Sequence, residues 1–204
     1  MGWKLARQLA IIALLGAVAG GLTGLLGRLA MRLLAVTSPP IAQGRLTDDL
    51  ARVGEITVAG TAFIVVLCAV VGAFVALGYP LVRLVLPLTL AARIVGFAVL
   101  TGLVGGSILV HDDPSFDYTI LEPAGLAVTL FICVPAAYGA MAAVLIERYA
   151  PAGGALPAHR VLGRSAMLVG VGVYVVLVLW GGYGLVTDII SLAMDTPSNA
   201  PGTL

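Results

Sequence analysis

ITVAGTAFIVVLCAVVGAFVALGY, residues 56–79, runs for 24 positions without a charge. A helix of that length is about 36 Å long, enough to cross a hydrocarbon core of about 30 Å. In lipid an unpaired N–H or C=O costs several kcal/mol, so such a run has to be helical.

The same test, carried outward in both directions, finds four more runs. Leu9–Gly27 has 19 uncharged residues, 94–110 has 17, 123–146 has 24 and 165–187 has 23. The reading is an all-α, polytopic membrane helix bundle with five transmembrane helices, at about 9–36, 56–79, 94–110, 123–146 and 165–187. Between the second and third, the stretch 80–93 is apolar but carries Pro80, Arg83, Pro87 and Arg93. Proline breaks helices, and an arginine at the bilayer centre costs about 2.5–3.5 kcal/mol on insertion scales. The stretch therefore reads as an interfacial, partly helical segment; a sixth, half-inserted helix is the alternative.

Composition agrees with the runs. Sixty per cent of the 204 residues are apolar, 10% are charged and mean hydropathy is +1.10. Soluble domains carry about 25% charged residues. A soluble globular enzyme, a disordered regulator and a disulfide-stapled secreted domain are excluded. A net charge of +1 supplies no basic field to hold nucleic acid. The length suits one integral membrane domain, 1–204. Its outer loops are 37–55 and 111–122, its cytoplasmic loops 80–93 and 147–164, and its outer C-terminal tail 188–204.

Orientation follows from the cations. With the N-terminus inside, the inner segments carry Lys4, Arg7, Arg83, Arg93, Arg148, Arg160 and Arg164, and the outer ones Arg28, Arg32, Arg45 and Arg52. Seven against four favours N-in and C-out, in a bacterial cytoplasmic membrane. The acids divide far more sharply. Glu147 is the one inner acid, and nine lie outside. The insertion rule is nearly blind to Asp and Glu, so that split asks for a local cause. Lys4, Arg7 and the following apolar run resemble a signal peptide, but the apolar pattern continues to Val36, so cleavage is not expected. Ala6 breaks a myristoylation pattern.

Small residues recur at four-residue spacing: Gly16, Gly20 and Gly24 in the first helix, Cys68, Gly72 and Ala76 in the second, Gly139 and Ala143 in the fourth. Small faces let helix backbones approach closely in lipid. These are read as helix-packing positions, within the bundle or against another subunit. Cys68 and Cys133 lie mid-span as small hydrophobes. No CxxC, Cys/His cluster, GxSxG, HExxH or P-loop occurs, and no cofactor is expected.

The outer side holds the candidate site. Arg28 and Arg32, four apart, share a helix face near the outer hydrocarbon edge. Two cations in the translocated half either snorkel to headgroups or meet an anion, so they are the candidate ligand- or anion-binding residues. Glu55 opens the second helix, Glu122 the fourth, and Asp188 closes the fifth, where the helix dipole disfavours an acid. The loop around His111, Asp112, Asp113 and Asp117 offers weak metal ligands with no EF-hand spacing.

Three function classes fit. The first is an accessory or structural subunit of a larger membrane complex, with an extracytoplasmic polar site and with lipids, other subunits or itself as partners. The second is a small intramembrane enzyme acting on a lipid or isoprenoid. Arg28 and Arg32 would hold the phosphate, and Glu55, Glu122, Asp188 and His111 would serve as acids. The third is a transporter or channel, weakened by the lack of ionisable residues at mid-depth and of an internal repeat.

Overall fold

The structure of the chain is a computed structural model and describes residues 2–38, 57–85, 89–110, 123–150 and 164–195. They form six helices: α1 (Gly2–Thr37), α2 (Val58–Ala76), α3 (Tyr79–Val85), α4 (Leu90–Leu109), α5 (Ala124–Tyr149) and α6 (Arg164–Asp195). No strand occurs among the described residues. Five spans are long and apolar enough to cross a membrane: Trp3–Thr37, Val58–Arg83, Leu90–Leu109, Gly125–Tyr149 and Gly170–Ile190. The protein is a multi-pass membrane helix bundle.

The helix ends differ from the charge-free windows for a simple reason. Charge marks where lipid begins, not where a helix stops. Thus α1 starts seven residues before Leu9, and α6 continues to Asp195. α4 starts at Leu90 rather than at residue 94, because the Thr89 hydroxyl accepts from the Ala92 N–H at 3.1 Å and caps its first turn. Thr57 does the same for Gly60 at the start of α2, also at 3.1 Å. The described residues of 80–93 accordingly belong to the short helix α3 and to the start of α4. Pro80 sits in the first turn of α3, where a proline removes no helical hydrogen bond.

Neighbours run in the order α2, α1, α5, α4, α6. α2 itself shares no extensive interface with α6, but the second span reaches α6 through α3. α3 lies against α6 and α4.

α1 and α2 are antiparallel and meet through glycine. Gly16 sits against the Gly72 carbonyl and Ala76, Gly20 against the main chain of Cys68 and Ala69, and Gly24 against Val65, Cys68 and Ile64. α4 and α5 are antiparallel, with Gly139 against Thr101 and Phe97, Gly102 against Ala136, and Gly105 against the Pro135 ring. α4 and α6 run parallel: Gly181 packs on Leu103 and Val104, and the Tyr174 hydroxyl donates to the Gly96 carbonyl at 3.0 Å. The core gathers toward one end of the bundle, around Ile12, Ala76, Tyr79, Phe97, Tyr138, Ala142 and Ile146. That is the end at which α2 finishes and α4 begins.

Candidate functional site

The most connected polar group among the described residues lies at this end. α2 stops at the Leu77–Gly78 turn, and α3 starts with Tyr79, whose side chain is almost wholly buried (1% exposed). Arg83 is four residues on, so it shares a face with Tyr79. Arg93 falls in the first turn of α4, and Glu147 in the last turn of α5.

The other three converge on one oxygen of Glu147. Glu147 Oε1 accepts the Tyr79 hydroxyl at 2.9 Å and Arg93 Nη1 at 3.3 Å, and it pairs with Arg83 Nε at 3.5 Å. Glu147 is 12% exposed, Arg93 21% and Arg83 27%. The Tyr79 ring stands edge-on to Phe97, with centroids 5.1 Å apart and planes at 67°. Phe97 in turn meets Tyr138 at 6.4 Å. The Tyr138 hydroxyl donates to the Gly72 carbonyl of α2. An aromatic column therefore joins the carboxylate to the middle of the bundle.

Among the described residues, two guanidinium groups meet this one carboxylate. Arg148 follows Glu147, is exposed and lies over the Tyr149 ring at 5.8 Å. A cluster of this kind fixes three helices to one another, and it can hold an anion at its open side.

The residues expected on the outer side are placed as follows. Arg28 extends over the first turn of α2, where a Cβ on Gly60 would come within 2.6 Å of its Nη2 and the Thr57 hydroxyl is adjacent. Its Nε is buried without a hydrogen-bond partner among the described residues. Arg32 is exposed one turn further along α1. Asp188 is buried, 7% exposed, on α6. Glu55, Glu122, His111, Asp112, Asp113 and Asp117 lie outside the described residues. Among the described residues no three His, Cys, Asp or Glu side chains group as metal ligands, and Cys68 and Cys133 are free thiols.

Two grooves flank α5. One, of about 330 Å³, runs between α4 and α5 and is lined by Ala98, Gly102, Ala136 and Ala140 with larger aliphatic residues on its rim. The other, about 280 Å³, runs between α1 and α5 past Leu29, Leu33, Cys133 and Ala137. Neither contains Arg28, Arg32 or Asp188.

Sequence reasoning did not find the inner cluster. It took Arg83 and Arg93 as orientation signals and as marks of an interfacial segment, and Glu147 as a solitary acid. The available signal was that solitude: one carboxylate among seven cations, placed at a helix C-terminus where an acid needs a partner. No known protein family, curated protein or solved structure matches the chain.

Proposed function

We propose that the chain is an accessory, structural subunit of a larger membrane assembly, set in a bacterial cytoplasmic membrane with its N-terminus inside and its C-terminus outside. The observation that carries this reading is how the hydroxyl groups within the spans are used. Thr23, Thr61, Thr101, Ser107, Thr129, Tyr138, Tyr174 and Thr187 all donate to main-chain carbonyls. Two of these bonds, from Tyr138 and Tyr174, join different helices. A conducting route requires polar side chains that face a pathway. Hydroxyls turned back onto the backbone instead hold helices in place.

Exposed aromatic side chains support the same reading. Phe63 and Phe74 on α2, and Trp180 and Tyr183 on α6, are left to be covered by lipid or by another subunit. The outer residues Arg28, Arg32 and Asp188, with Glu55 and Glu122, would be the polar contacts to that subunit.

The test is extraction of the tagged chain from its native membrane directly into polymer-bounded discs, followed by mass measurement. The reading expects one assembly of fixed stoichiometry. It also expects the double variant Phe63→Ala, Phe74→Ala to leave that assembly while remaining folded. A free monomer in every preparation overturns the reading.

A second reading, an intramembrane enzyme acting on a lipid or isoprenoid phosphate, is favoured by one observation. The Arg28 Nε is buried and unpartnered above the N-terminal turn of α2, where both the guanidinium and the helix end favour an anion. Incubation with an isotope-labelled extract of the native lipids discriminates. An enzyme gives a new product that Arg28→Gln abolishes; a structural subunit gives none.

A further inference from the structure

We propose that α5 is hinged at Pro135, and that its N-terminal half, 124–134, swings toward α1 and closes the groove between them. The first ground is the proline itself. Pro135 lies inside the helix, has no N–H to give to the turn before it, and crowds that turn with its ring. Helices bend at such positions.

The second ground is unequal anchoring. Beyond the proline, Tyr138, Ala142, Ala143 and Ile146 are buried in the core. The Tyr138 hydroxyl donates to the Gly72 carbonyl, and Glu147 is tied to Tyr79, Arg83 and Arg93. Before the proline, Ala127 alone is buried among the described side chains of 124–134. The Thr129 hydroxyl turns back to the Gly125 carbonyl of its own helix, and Gly125 has nothing within 4 Å of a Cβ position.

The third ground is direction. At about 100° per residue, Cys133 and Ala137, two places either side of Pro135, lie on the helix face opposite its ring. With Leu130 and Val134 they line the groove of about 280 Å³ against α1. The ring itself faces Gly105 of α4. Relieving the ring's crowding opens the ring side of the helix and bends α5 away from it, which is toward α1. The groove on the α4 side, about 330 Å³, takes in Ile132 from the same half. It widens as the α1 groove narrows. Lipid chains displaced from one side are accommodated on the other, so the motion leaves no empty cavity, whose cost would oppose it.

This hinge does not depend on whether the chain has a protein partner. Its test is the distance between spin labels, measured by electron paramagnetic resonance on the full chain in phosphatidylcholine liposomes, with Cys68→Ala and Cys133→Ala as background. One pair is Gly27→Cys with Gly125→Cys, two positions where a Cβ meets nothing within 4 Å. The reference pair is Leu14→Cys with Val144→Cys, exposed positions on α1 and on the anchored half of α5. Gly125 is ten residues from the hinge, about 15 Å along the helix, so a change in bend of about 20° moves it by about 5 Å. The first pair is expected to give two populations separated by about that distance, and the reference pair one.

Pro135→Ala restores the missing hydrogen bond and is expected to merge the two populations into one. Cys133→Leu, in place of the alanine, fills the α1 groove and is expected to remove the shorter distance alone. That second variant keeps the test decisive if Pro135→Ala folds poorly. A single distance for the first pair, or an equal spread in both pairs, overturns the proposal. A folded Pro135→Ala chain that keeps both populations, or a Cys133→Leu chain that keeps the shorter one, also overturns it.

Discussion

Glu147 sits at the wrong end of its own helix and the right end of its neighbour's. An acid in the last turn of α5 opposes that helix's dipole, and Arg93 in the first turn of α4 opposes its own. Because α4 and α5 are antiparallel, each charge also lies beside the favourable terminus of the other helix, and the pair offsets both conflicts. Removing the carboxylate leaves two cations facing each other. Glu147→Gln is expected to destabilise the protein by about 2–3 kcal/mol, short of the 3–5 kcal/mol for a fully buried pair because the arginines are partly solvated. Tyr79→Phe, which removes one donor and leaves the ring in place, is expected to cost about 1 kcal/mol. Reversible unfolding in detergent measures both, and a Glu147→Gln chain as stable as wild type would remove the cluster's structural role. None of this convergence was legible in the sequence. Tyr79 and Arg93 are separated from Glu147 by 68 and 54 positions, and nothing in their spacing says that three inner helix ends meet.

For the helices, legibility was uneven. The existence and number of the spans follow from charge-free length alone, since lipid admits no other backbone arrangement. Their ends did not follow, because caps such as Thr89 act outside the hydrocarbon. The four-residue rhythm of Gly16, Gly20 and Gly24 is plain in the sequence, but the helix they face is not. In the structure they lie against α2, with backbone where a side chain would go. Gly20→Val is therefore expected to force α1 and α2 apart and to destabilise the protein by about 1–3 kcal/mol, the usual range for overpacking. Gly27 has nothing within 4 Å of a Cβ position, so Gly27→Ala is expected to be neutral or slightly stabilising through helix propensity. Comparison of the two Tm values checks the pair, and an equal loss at both positions would contradict the register.

For the molecule as a whole, the order α2, α1, α5, α4, α6 was hidden for a physical reason. In a soluble bundle the buried face of each helix is marked by apolar residues. Here lipid is as apolar as the interior, so both faces read alike. Of the outer constellation read from the sequence, Glu55 and Glu122 lie outside the described residues. Orientation remains a question that labelling answers directly. With Cys68 and Cys133 replaced by alanine, a membrane-impermeant thiol reagent added from outside is expected to modify Ser198→Cys and to spare Ala155→Cys. The reverse pattern would invert the topology and move the inner cluster to the outer leaflet.

The position of α5 between α1 and α4 has a consequence for how the protein is made. A ribosome delivers helices in chain order, and the first pair can close as soon as α2 arrives. α4 comes next, yet it shares no extensive interface with α1. It arrives with its contacts to α3, Tyr79 against Phe97 among them, and gains its larger interface when α5 emerges between it and α1; α6 then settles on α4's far side. α5 is thus the keystone of assembly rather than one more span. A chain stopped before residue 123 is expected to keep its α1–α2 hairpin while α4 stays apart from α1. Cysteine cross-linking in the membrane would show this as an α1–α2 bond that forms at the normal rate.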